Sequence, residues 1–107
     1  MTWDECLTAL ETRTGMCVPF PYYPAAVGFL VGYDLAQPRP VLRGFSEWMS
    51  SRHDGSSLWF ASLALKEYTG KDRADEYARF MDVEFDEQVR AVRHLCGLLR
   101  EYLAERE

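Results

Sequence analysis

Along most of this chain apolar residues recur every three or four positions with polar residues between them, the spacing of one helix face and not the alternation of a strand. At the start, Trp3, Cys6, Leu7 and Leu10 follow a capping box formed by Thr2 and Glu5. There the Thr2 hydroxyl accepts from the amide three residues on, while Glu5 reaches back to the amide of Thr2. The pattern predicts a helix over residues 3–13, with Gly15 placed to end it in a left-handed conformation. Pro19 and Pro21 remove backbone donors and disfavour helix before them, so Met16 to Tyr23 reads as an extended connector. Pro24 fits the first turn of a second helix, in which Val27, Leu30, Val31, Tyr33 and Leu35 form an apolar segment that stops before Pro38. Gly28 and Gly32, four apart, lay a smooth strip along that helix.

Pro38-Arg39-Pro40 is a linker between elements. Beyond it Val41, Leu42, Phe45, Trp48 and Met49 predict a third helix, closed by the turn His53-Asp54-Gly55. Ser56 or Ser57 then caps a fourth helix from Leu58 to about Thr69, ended by Gly70. This element is apolar nearly all round, with Trp59, Phe60, Leu63 and Leu65 on different sides, as expected of a central buried helix. From Asp72 the spacing of Tyr77, Phe80, Met81, Phe85, Val89, Val92, Leu95, Leu99 and Leu103 predicts one long helix or two stacked ones, with Asp82 to Glu87 as the place for a break. The expectation is an all-α fold, a compact single-domain bundle of five or six helices over residues 1–107, with a long C-terminal helix or helix pair.

With 107 residues the chain suits one core and not two. No apolar run is long enough to span a bilayer, and Met1-Thr2-Trp3-Asp4-Glu5 lacks the basic and apolar regions of a signal peptide, so the expected location is cytoplasmic. Cys6, Cys17 and Cys96 are odd in number and widely spaced, which fits reduced thiols and neither a disulfide framework nor a zinc site. Seventeen acidic against twelve basic residues leave a net charge of -5. That sign disfavours nucleic acid and allows a basic protein as partner.

Candidate chemistry is sparse. His53 and Asp54 are adjacent, a poor geometry for a base and its orienting carboxylate, and fit a turn better. His94 and Cys96, two apart on a helix, point to different faces and cannot share a metal. Cys17 lacks a basic neighbour in sequence that would activate it. Glu5, Glu11, Glu47 and Glu67 lack the Glu-x-x-His repeat of a two-metal bundle, and no P-loop, GxGxxG or GxSxG is present. No catalytic residue, metal ligand or cofactor is assigned, and an enzyme is the less favoured reading.

Fifteen aromatic residues are many for a small interior, so Phe20, Tyr22 and Tyr23 are candidates for surface anchors. Asp75, Glu76, Asp82, Glu84, Asp86 and Glu87 form a candidate acidic face that would steer a basic partner; a plain solvated helix surface explains them too. The alternative is a small-molecule or cofactor pocket between helices lined by Tyr33, Trp48 and Trp59. Homodimerisation through the C-terminal helix is a third possibility.

Arg13-Thr14-Gly15-Met16-Cys17-Val18, Phe29-Leu30-Val31-Gly32-Tyr33-Asp34-Leu35-Ala36 and Phe45-Ser46-Glu47-Trp48-Met49 with Arg52 together resemble a group of small, largely uncharacterised bacterial proteins. In that group the first piece reads closer to Arg-Pro-Gly-Met-Tyr-Val-Gly, so Thr14 and Cys17 depart from its usual Pro and Tyr, and no glycine follows Val18. The resemblance covers the first half of the chain. It implies an immunity or antitoxin-like protein that masks a partner, such as a basic toxin, and transfers no catalytic residue.

Overall fold

The structure is a computed structural model and describes residues 2–12, 23–70 and 85–106. It is an all-α single domain with helices α1 (Trp3–Thr12), α2 (Tyr23–Leu35), α3 (Leu42–Arg52), α4 (Phe60–Thr69) and α5 (Phe85–Arg106). The capping box is present at α1, with the Glu5 amide donating to Thr2 Oγ1 at 3.1 Å. Its return arm differs from expectation, because the Thr2 hydroxyl donates to Glu5 Oε1 at 3.2 Å.

α5 is the axis of the molecule. It packs against all four other helices, and it does so with Ala91, Val92, Leu95, Cys96, Leu98 and Leu99, all buried. At 22 residues it is about 33 Å long at 1.5 Å per residue, enough to run the length of a globule whose radius of gyration is 13.1 Å. Leu7 and Leu10 of α1, Leu30 of α2, Phe45 and Met49 of α3, and Phe60, Leu63 and Leu65 of α4 complete one core. Burying a leucine of this kind is worth about 1.5–3 kcal/mol.

Among the described residues Gln88 and Asp34 are the buried polar side chains, and each joins two elements. Gln88 of α5 is fully buried and its Oε1 accepts from the amide of Tyr23 at 2.8 Å, satisfying a donor in the first turn of α2. Tyr23 Oη donates to the carbonyl of Ala61 in α4 at 2.7 Å. At the other end of α2, Asp34 Oδ1 accepts from the amides of Val41 at 2.6 Å and Leu42 at 3.3 Å. Val41 has no side-chain cap of its own. The carboxylate seven residues back, across the proline linker, caps α3 in its place and meets the positive end of its dipole.

The His53-Asp54-Gly55 turn closes α3, with φ of 56° at Asp54 and 77° at Gly55. Gly70 ends α4 at φ 73°, its amide donating to the carbonyl of Lys66 at 2.8 Å. Two expectations need correction. Neither Ser56 nor Ser57 caps α4: Trp59 occupies the cap position without a side-chain bond, and Ser56 Oγ instead accepts from the Leu58 amide at 3.2 Å, tightening the turn before the helix. Trp59 itself is not buried with that helix but 48% exposed, because the chain is still extended at this residue, outside the helical wheel that would bury it. Gly15, Cys17 and residues 71–84, where the spacing predicts further helix or a break, lie outside the described residues.

Two glycine replacements should move stability in opposite directions. Gly97 lies inside α5, exposed, with nothing within 4 Å of where an added methyl would sit, so Gly97→Ala should stabilise by about 0.5–1 kcal/mol by restricting the unfolded chain. At Gly44 the added methyl would collide with the Tyr102 hydroxyl, whose ring is packed against Phe45 and Trp48, and Gly44→Ala should cost about 1–3 kcal/mol. Urea unfolding of both variants beside the wild type checks this pair. Asp34→Ala, which leaves two amides at the start of α3 without their acceptor, should lower stability by about 1–3 kcal/mol in the same measurement.

Candidate docking surface

α2 is apolar on every side. Its inward face is Tyr23, Ala26, Val27, Leu30 and Asp34, all buried. At 100° per residue the opposite face is Ala25, Gly28, Phe29, Gly32 and Leu35. Of these, Gly28, Gly32 and Leu35 are exposed, Leu35 to 75%, and Ala25 and Phe29 are half-buried at the edges. A methyl placed on Gly28 or Gly32 would have nothing within 4 Å. The smooth strip read in the sequence therefore faces outward, and does not serve packing within the described bundle.

Other helices solve the same problem in the ordinary way. The exposed positions of α1 are Asp4, Glu5, Thr8 and Thr12; those of α3 are Arg43, Glu47, Ser51 and Arg52. α5 exposes Asp86, Arg90, Arg93, Glu101, Glu105 and Arg106 beside Gly97 and Ala104. Among the described helices, α2 alone exposes residues and none of them polar.

Charged side chains near the helix junctions are engaged with one another. Arg100 of α5 reaches α1, donating to Glu11 Oε1 at 2.7 Å, Thr8 Oγ1 at 2.8 Å and Asp4 Oδ1. Glu67 of α4 accepts from Arg52 at 3.0 Å and pairs with His53 Nε2 at 3.0 Å, and Arg52 also meets Glu101 of α5 at 3.6 Å. His53 thus turns to Glu67 and not to its neighbour Asp54. The Arg52 guanidinium lies 4.7 Å from the ring centre of Trp48. Burial alone would push the Glu67 carboxyl up, but the hydrogen bonds from His53 and Arg52 outweigh it and hold its pKa below the ordinary value.

The other sequence candidates are dispersed. Tyr23 is fully buried, so it is a core residue and not a surface anchor. Phe20, Tyr22, Asp75, Glu76, Asp82 and Glu84 lie outside the described residues. Asp86 is exposed in the first turn of α5; Glu87 accepts from Tyr68 Oη at 2.7 Å, which lowers its pKa, and also pairs with Arg90. Tyr33 packs edge-on against Trp3, Trp48 against Phe45 and Tyr102, and Trp59 against Phe60. None of Tyr33, Trp48 and Trp59 lines the groove of about 660 Å³ that Trp3, Leu7, Val41, Leu103 and the two arginines Arg100 and Arg106 help to form. Cys6 and Cys96 are both buried in the core. Among the described residues no group of three or more His, Cys, Asp or Glu is placed to hold a metal ion, and no helix is long and apolar enough to cross a membrane.

Sequence reasoning misses two features of the surface. Leu35 reads only as part of the apolar segment of α2, although its position on the wheel, about 60° from Gly32 and closer still to Gly28, puts it outside. The Glu67 junction is invisible because its contacts join residues 14 to 49 apart in sequence. Compared with family models, curated proteins and solved structures, the chain matches none.

The Glu67 junction gives a pH signature. A carboxyl whose folded pKa is depressed contributes stability above its unfolded pKa and loses it as the pH falls through the folded value. Acidification below the usual glutamate range should therefore lower the urea midpoint, and Glu67→Gln should remove part of that slope while costing stability at neutral pH. An unchanged acid slope in the variant would count against the junction.

Proposed function

We propose that this protein is a non-enzymatic protein-binding module, of the immunity or antitoxin-like kind that its sequence resembles, which masks a basic partner. The observation that carries this reading is the outward face of α2: an exposed helical strip without a polar side chain, on a helix held at both ends by buried hydrogen bonds. A rigid apolar strip loses little entropy on contact, which favours association. The net charge of -5 supports a basic partner, since acidic surface steers such a protein to the encounter.

A second reading, a small-molecule or cofactor binder, has one observation in its favour, the groove beside α1, whose volume of about 660 Å³ suits a small ligand. It ranks second because Arg100, in that groove's wall, is already engaged by Asp4, Thr8 and Glu11.

The product of the reading frame adjacent to this one is the natural test partner. Copurification of the two, with affinity reduced at least tenfold by Gly32→Glu and weakened by added salt, is the expected result. Failure of that product to bind removes the masking of a neighbouring toxin, and binding indifferent to Gly32→Glu removes α2 as the contact.

A further inference from the structure

The groove beside α1 joins elements from both ends of the chain. Trp3 and Leu7 of α1, Val41 at the start of α3, and Leu103 and Ala104 of α5 give it apolar walls. We propose that this groove, of about 660 Å³, binds a small monocarboxylic acid with an apolar body, its carboxylate paired with Arg106 and its body laid against Trp3, Leu7 and Leu103. The inference rests on the second reading, that the groove takes a small molecule, and is separate from the masking of a partner through α2.

Charge selects the sign of the ligand. The charged residues that line the groove are Asp4, Arg100 and Arg106, and the first two neutralise each other as an ion pair. Glu11, the second acid on Arg100, stands about two turns further along α1 and is not part of the lining. Arg106 is left. It is exposed in the last turn of α5, with its guanidinium 6.0 Å from the ring centre of Tyr102 and no carboxylate partner among the described residues. A guanidinium held against an aromatic face keeps its N–H edge open, and that fork matches a carboxylate in two parallel hydrogen bonds. The groove thus carries one uncompensated positive charge on a chain whose net charge is -5. One such charge suits a monoanion; a phosphate monoester, with about 1.5 to 2 negative charges, would exceed it.

The walls select the body. Leu7 is fully buried and Val41 7% exposed, so the floor of the groove is held in place by the core before any ligand arrives. Trp3 is fixed edge-on by Tyr33, with ring centres 4.7 Å apart. Apolar walls with a few polar groups are the usual form of a small-molecule site. An ion pair at an exposed arginine contributes little by itself. The apolar body is therefore required, because most of the affinity must come from surface that leaves water against these side chains.

Titration of the full chain with octanoate tests the proposal, followed in nuclear magnetic resonance spectra at the Trp3 indole and the Leu7 and Leu103 methyl groups, with octanamide as the neutral control. Octanoate should produce saturating shifts confined to the groove in the low millimolar range, and octanamide should bind at least threefold more weakly. Arg106→Gln should lower octanoate affinity at least threefold and Arg106→Glu at least tenfold, both leaving octanamide unchanged. Arg106 is exposed, and unchanged circular dichroism and urea midpoints would verify that both variants keep the fold. Equal affinity for octanoate and octanamide overturns the acid as ligand while the groove remains a small-molecule site. Octanoate binding that both variants leave intact overturns the role of Arg106. Groove signals that neither compound moves overturn the proposal together with the second reading.

Discussion

The buried stripe of α5 is the interaction on which everything else depends. Val92, Leu95, Cys96 and Leu99 are fully buried on a helix that touches each of the other four, so α1, α2 and α4 take their positions from its apolar surface, while α3 packs chiefly on α4. Helices of 10 to 13 residues, the length of α1 to α4, are marginal alone in water. They persist because their apolar faces leave water together. The ion pairs of Arg100 with α1 and of Arg52 with Glu67 and Glu101 lie at the rim of that contact and fix which helix ends meet.

Within this frame α2 is unusual in being apolar on both sides. Its inward side is specified by geometry that only a few polar atoms can satisfy: Gln88 on the Tyr23 amide, the Tyr23 hydroxyl on the Ala61 carbonyl, and Asp34 on the start of α3. Buried polar groups must be paired to be tolerated, so these bonds select one rotation of the helix about its axis. Fixing the rotation fixes what is left outside. The residues left outside are Gly28, Gly32 and Leu35, with Ala25 and Phe29 half-buried beside them, so the exposed apolar strip follows from the core and is not an independent feature.

Much of this is legible in the residues. Capping by Thr2 and Glu5, the stop at Gly70, the turn at Asp54-Gly55 and the amphipathic rhythm of Val92 to Leu103 are local signals, and local physics decides them. Gly28 and Gly32 can be read as a smooth strip, but not which way the strip faces, because a helix apolar all round has no polar side to orient it. Tyr23 looks like its neighbour Tyr22 as an anchor; only the positions of Ala61 and Gln88, 38 and 65 residues on, make it a core residue. Asp34 carries no signal as a cap, since the helix it caps begins beyond two prolines. Trp59 differs for another reason: helical spacing carries the pattern one residue past the start of α4, to a residue where the backbone is still extended.

The central claim is that the core turns α2 so that its uncharged face, with Gly28, Gly32 and Leu35, is open to solvent. Attenuation of amide signals by a soluble paramagnetic probe in nuclear magnetic resonance spectra of the dilute protein measures this directly at Gly28 and Gly32. The account predicts strong attenuation of both, matching that of the exposed Gly97. Protection of Gly28 and Gly32 in the dilute monomer would contradict it.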